Sequence, residues 1–422
     1  MPLEGPTGMT QAAIPQIPPA AQAEIFEAEL CDTQSGTATA VAEGAELAES
    51  LEEPQLVGGR SRWRRLRDAI GSGAEWLFGA ASLVLALAFL ATYPVLQMLS
   101  LGYLLEASGR IARTGRLRDG FVGVRKGARV GGIFLGVWLM LLPLRFASLM
   151  AASARLIEPN SRADRGWSAA LVVLTALLTV HIVGACWRGG KLWHFFWPAP
   201  IRLIKHLCQR GAYARARDAV CDFVIGLRLP YYFWLGLRGF AGGLIWLFLP
   251  ISFLAAGQKA PLVGFIGGLA LMIVLFYLPF VQTRFAAENR FRAMFEVRPV
   301  RQWFRRAPIA FLIALGLTLL FAVPLYLLKI EIIPREAAWL PSLVFVVFIF
   351  PTRLLTGWAC GYAGRRPRNR NWFLRQFARQ GILPVAALYV LIVYFTQFTS
   401  WHGVASLYEQ HAFLVPVPFL GL

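Results

Sequence analysis

Long uncharged stretches alternate with short arginine-rich ones along this chain. The apolar stretches fall near residues 76–100, 132–151, 168–187, 239–256, 262–283, 309–328, 340–361 and 382–399. A helix rises about 1.5 Å per residue, so about 20 residues cross a hydrocarbon layer about 30 Å thick. The pattern therefore predicts an all-α fold. It is a polytopic transmembrane helical bundle of about eight apolar segments, with amphipathic helices at the interface. Pro94, Pro143, Pro250, Pro279, Pro324 and Pro351 lie inside or at the ends of these stretches. They predict kinks or ends, because neighbouring helices in lipid re-satisfy the freed carbonyls.

The first stretch is ambiguous. No charge interrupts Trp76 to Leu105. As one helix these residues would reach about 45 Å, longer than the hydrocarbon core. Two readings remain open. The segment is a re-entrant or hairpin pair broken near Pro94, or it crosses once and continues as an interfacial helix.

Charge divides the chain further. Net charge is +19, yet residues 1–59 hold ten acids and no Lys or Arg. Few large apolar residues accompany them, so 1–59 reads as a disordered acidic tail. A basic juxtamembrane segment (60–75) follows, then a membrane domain (76–399) and a final tail (400–422). Basic residues concentrate in 101–131, 188–238, 284–308 and 362–381, while the intervening connections are poor in them. That alternation places the basic loops in the cytoplasm and the C-terminus outside, in a cell membrane, with the bacterial inner membrane as the expected location. The bilayer and its anionic headgroups then account for the positive charge without nucleic acid. An acidic protein is the other expected partner.

Within 188–238, Ile201, Leu203, Ile204 and Leu207 oppose Arg202, Lys205 and Arg210 at near-helical spacing. This predicts an interfacial helix with those three bases on headgroups. In 284–308, Glu288 and Arg292 are four apart and predict an ion pair on one helix face. Arg290, Arg292, Arg305 and Arg306 complete the set of lipid or partner contacts. Pro308 opens the next span.

The run Arg290-Phe291 … Phe295-Glu296-Val297 … Val300, followed by a basic pair and a new span, resembles a prokaryotic family of multi-pass membrane proteins catalogued as a domain of unknown function. Its signature is Arg-Phe-x-x-x-Phe-(Asp/Glu). Gly102-Tyr103-Leu104-Leu105 is similar to that family's glycine-tyrosine motif. The resemblance implies the architecture and no activity.

Polar groups inside spans are candidates for function. His181 and Gln97 are the buried polar candidates. Arg145 and Arg353 follow prolines and are expected to snorkel. No Asp or Glu falls at mid-span, so a carboxylate proton relay is not expected. An internal repeat of helical hairpins is suggested by Tyr93-Pro94, Glu106 and Arg110 against Tyr277 to Pro279, Glu288 and Arg292. Cys31, Cys186, Cys208, Cys221 and Cys360 form no metal or disulfide pattern. His402, Glu409 and His411 lack a fourth ligand. No Walker, GxSxG or HExxH motif occurs, and no catalytic residue, cofactor or metal is expected. Three functions remain: a structural or accessory membrane protein, a transporter built from repeated hairpins, and an intramembrane lipid-modifying enzyme.

Overall fold

The structure, a computed structural model, describes residues 62–197, 211–327, 339–367, 371–399 and 403–409. These residues contain no strand. The helices are α1 (Arg62–Thr92), α2 (Gln97–Thr114), α3 (Val124–Ile157), α4 (Arg162–Trp187), α5 (Leu192–Phe196), α6 (Ala212–Gly226) and α7 (Leu229–Ala256). They continue as α8 (Pro261–Glu288), α9 (Val297–Arg306), α10 (Pro308–Leu327), α11 (Trp339–Gly364), α12 (Trp372–Thr399) and α13 (Ser406–Glu409). Among the described residues, eight segments are long and apolar enough to cross a membrane: α1 from Ile70, α3, α4, α6 with α7, α8, α10, α11 and α12. The chain is thus an all-α polytopic bundle. The acidic tail at 1–59 lies outside the described residues, as do 410–422.

Among the described residues each apolar stretch is helical, the first as two helices separated by a turn, and the helices run on into segments expected to be loops. The largest difference is at 101–131. Pro94 cannot continue the hydrogen-bond ladder, and the chain turns at 93–96 before resuming at Gln97, whose N–H donates to Tyr93 O at 2.8 Å. Trp76, early in α1, stacks edge-on with Phe121 beyond α2, with ring centroids 4.9 Å apart. At the other end, Thr92 bonds Ser342 at the start of α11. The first apolar segment is thus broken at Pro94 into two helices, and the chain beyond α2 returns to α1 at Phe121. The second of these is a full helix that continues to Thr114.

Thirteen of the eighteen residues of α2 are buried, so this charged helix is part of the core. Glycines let it reach neighbouring backbones. A Cβ on Gly102 would lie 1.8 Å from the Tyr232 carbonyl oxygen of α7, and one on Gly236 would lie 1.9 Å from Met98 O. A Cβ on Gly109 would meet the Ala286 carbonyl carbon of α8 at 2.7 Å, and one on Gly357 of α11 would meet Ser108 O at 2.5 Å. Close approach through small residues is how helices associate where lipid removes the usual hydrophobic driving force. Around α2 an apolar core joins Leu104, Leu278, Phe311, Ile349 and Tyr389.

The α3–α4 hairpin is different. Only 11% of the apolar window of each is buried, against 56% for α11. Phe134, Trp138, Val172 and Leu177 are exposed and need acyl chains to cover them. Ser161 caps α4 by accepting from Asp164 N, and Asp164 accepts from Asn160 N, which satisfies orphan donors at the turn.

Replacing Gly102 by Leu is expected to lower the thermal unfolding midpoint of the detergent-solubilised protein, with a loss of about 3 kcal/mol, the upper range for overpacking. The obstacle is backbone, which cannot rotate away. Gly71, whose Cβ would meet nothing within 4 Å, is the contrasting site. Its replacement by Ala should leave the midpoint unchanged or raise it, by up to about 1 kcal/mol of helix propensity.

Candidate functional site

Charged and polar groups gather where α2, α7, α8 and α11 meet. Glu106 on α2 is 5% exposed. Its Oε1 accepts from Arg113 Nη2 at 2.8 Å and lies 3.4 Å from Arg110 Nε. Its Oε2 accepts from the Tyr231 hydroxyl of α7 at 2.9 Å. A buried carboxylate is thus neutralised and hydrogen-bonded at both oxygens, which offsets its desolvation. Glu106 lies on α2, outside the eight candidate spans, so it bears on the segment expected to be a loop and not on the expectation of no acid at mid-span.

A second network closes the end of α8. Arg284, 6% exposed, donates to Glu288 at 2.7 Å and to Glu296 at 2.6 Å. Glu288 also pairs with Arg290. The expected Glu288–Arg292 pair does not form, because α8 stops at Glu288. Asn289 caps it with φ 51°, and Arg292 belongs to the next turn. The left-handed region suits Asn better than most side chains.

Deeper in the bundle, Arg353 of α11 is 2% exposed and donates to Gln282 Oε1 of α8 at 2.8 Å. Thr283 and Thr356 hydroxyls meet beside this pair at 3.3 Å. Arg353 therefore does not snorkel: α8 blocks its route and supplies an acceptor instead.

The C-termini of α2, α8 and α11 share one end of the bundle, and arginines hold them there. Arg113 donates to Ala286 O and Ala287 O in the last turn of α8. Arg306 reaches Gly364 O at the end of α11, and Arg365 lies over Gly115 at the end of α2. Lys126 of α3 donates to Gly226 O of α6, and Arg379 of α12 stands over the Phe304 ring of α9. The described parts of the arginine-rich segments thus meet at one basic end. The amphipathic helix there is α9. Its Val300 is buried, Trp303 and Phe304 are half-buried, and Arg298 and Arg301 are exposed.

Of the contact candidates, Arg202, Lys205 and Arg210 lie outside the described residues. Arg290 is engaged by Glu288, and Arg306 by a helix end. Among the described residues no acidic side chain pairs with Arg292 or Arg305, nor with Arg298 and Arg301, which the sequence reading passed over. Alternation of Arg298 and Arg301 with Val300 and Phe304 was the signal available. Gln97 is buried at the start of α2. His181 is half-buried and its Nε2 meets Phe195 O at 2.7 Å, which ties α5 to α4. The structure does not bring His181 and Gln97 together: one docks a peripheral helix, and the other lies in the core.

No family model, curated protein or solved structure matches this chain.

Replacing Glu106 by Gln should destabilise the detergent-solubilised protein by about 3 kcal/mol. That is the low end for breaking a buried ion pair, because Arg110 and Arg113 are 42% and 41% exposed and partly hydrated. Replacing Tyr231 by Phe should cost only about 1 kcal/mol. Equal losses in the two variants would show that the charge on Glu106 is irrelevant.

His194 on α5 gives a pH dependence. Its Nδ1 is buried without a partner. Burial, then the charges of Arg188 and Lys191, hold its pKa below the usual imidazole value. Undocked, the ring takes up a proton at higher pH than it does docked. Docking is therefore at full strength above the ordinary imidazole pKa of about 6.5 and weakens as pH falls through it. Emission from Trp193 and Trp197 should shift between about pH 7 and about pH 5, and a His194→Gln variant should not respond.

Proposed function

We propose that this chain is a structural or accessory membrane protein that binds anionic lipid headgroups through its basic end. One observation carries the reading. Helix α9 anchors Val300 against the bundle and directs Arg298 and Arg301 outward with no acidic partner among the described residues. Guanidinium groups held at such a surface match phosphate in charge and in donor geometry. The positive-inside tendency puts this end at the cytoplasmic leaflet of a cell membrane and the C-terminus on the far side. An acidic protein segment is the alternative occupant of the same surface.

A second reading, a transporter built from helical hairpins, is favoured by the helix broken at Pro94 and by the Gln282–Arg353 pair deep in the bundle.

Arg298, Arg301 and Arg305 each contribute about 1 kcal/mol near an anionic surface. Replacing all three by Gln should weaken retention of phosphatidylglycerol by about 100-fold at low salt. Phosphatidylcholine binding should be unaffected. Titration of detergent-solubilised protein with each lipid checks this, and equal phosphatidylglycerol affinity in variant and parent would sink the proposal.

A further inference from the structure

The basic end is built twice. Gly115 and Asn289 stand 174 positions apart, and the same offset aligns Arg110 with Arg284, Ala112 with Ala286, Arg116 with Arg290, Leu117 with Phe291, Arg118 with Arg292 and Phe121 with Phe295. This register differs from the one suggested by the prolines and glutamates of the sequence. The backbone supports it. Gly115 ends α2 with φ 69° and Asn289 ends α8 with φ 51°. Their N–H groups bond Ile111 O at 2.6 Å and Phe285 O at 2.7 Å, each four residues back. Arg116 and Arg290 are both extended, with φ −105° and −117°. A single 3-10 turn follows in each copy, Leu117–Gly120 and Phe291–Met294. It closes through Phe121 N to Arg118 O at 3.2 Å and Phe295 N to Arg292 O at 3.0 Å.

Each turn presents the same surface chemistry, an exposed apolar side chain between two exposed arginines. Leu117 is 45% exposed and Phe291 37%. Arg116, Arg118, Arg290 and Arg292 are exposed. We propose that these duplicated turns are two equivalent binding sites for anionic phospholipid. In each, the arginines grip one headgroup phosphate and Leu117 or Phe291 enters the acyl layer beside it. This rests on the reading of the basic end as a lipid-binding surface and deepens it to two defined sites. An apolar side chain flanked by cations suits an amphiphile whose charge and hydrocarbon adjoin. A soluble anion would leave Leu117 and Phe291 in water.

The copies differ in where their carboxylates lie. Asp119 stands in the first turn where the second has Ala293, and among the described residues it forms no ion pair with Arg116 or Arg118. Thr114 in the first corresponds to Glu288 in the second, and Glu288 occupies Arg290. The second site is therefore partly masked by an internal carboxylate, and the first is open.

Native mass spectrometry with phosphatidylglycerol, and phosphatidylcholine as control, tests this on the full chain. Parent protein should retain two phosphatidylglycerol molecules at the turns, of unequal affinity, in addition to lipid held by α9. Arg116→Gln with Arg118→Gln should remove the tighter one, lowering its affinity about tenfold or more. Arg290→Gln with Arg292→Gln should remove the weaker one. Thr114→Glu should weaken the first site to resemble the second, and Glu288→Gln should tighten the second. Thr114 is exposed at its helix end, so Thr114→Glu tests the idea even if Glu288→Gln impairs folding. Unchanged counts in both double variants would overturn the two-site proposal. If the α9 triple variant still loses phosphatidylglycerol, the broader lipid reading survives that failure. Loss of polyglutamate peptide binding in the double variants, with phospholipid counts unchanged, would assign the turns to an acidic protein and equally overturn it.

Discussion

The structure depends on burying α2, a helix that carries Glu106, Arg110 and Arg113, among helices that are apolar almost throughout. Two conditions make this burial feasible. The charges neutralise one another within the α2–α7 contact, and glycines remove the side chains that would hold neighbouring backbones apart. Gly102 and Gly236 bring α2 and α7 into backbone contact, while Gly109 and Gly357 do the same for α8 and α11. Without the pairing, Glu106 would be an isolated ion in a low-dielectric interior, where desolvation dominates. Without the glycines, Glu106 and Tyr231 would stand too far apart to bond.

Bringing α2, α8 and α11 to one end also places their C-terminal carbonyls together. Each helix end carries partial negative charge, and the grouping of like ends is unfavourable unless cations meet it. Arg113 donates to the end of α8, Arg306 to the end of α11, and Arg365 covers the end of α2. Some of the positive charge at this end is therefore structural and already spoken for. The same holds for Arg284, which binds Glu288 and Glu296 and so fixes the turn from α8 into α9.

The apolar segments were legible in the sequence because lipid leaves helix as the only economical backbone for an uncharged run of that length. Pro308 was legible as a helix start because its missing N–H is harmless there. Helix α2 was not legible. Arg110 and Arg113 look like loop residues to any count of charge, since pairing with Glu106 is a tertiary fact. The four-residue spacing of Glu106 and Arg110, flanked by Gly102 and Gly109, was the trace of it. Arg353 misled for a related reason. Position in the chain suggested an escape to the interface, but only the packing of α8 decides whether that route is open. The Glu288–Arg292 pairing failed because spacing on a helix means nothing once Asn289 has ended the helix. At the basic end, the duplication of the turns was hidden in the sequence because it lies in the backbone of the caps at Gly115 and Asn289, not in a shared run of identical residues.

The arginines thus fall into two populations with different physical consequences. Arg113, Arg284 and Arg353 are held by acceptors inside the protein, and removing their charge would damage the fold. Arg298, Arg301, Arg118 and Arg292 have no acidic partner among the described residues and project from the surface. Grouped like charges repel and oppose compactness, so this second population adds nothing to stability by itself. Its unfavourable field is relieved when negative charge approaches from outside the chain. On the lipid-binding reading proposed above, headgroup phosphates supply that charge, while the arginines already held by internal acceptors fix the end of the bundle from which the others project.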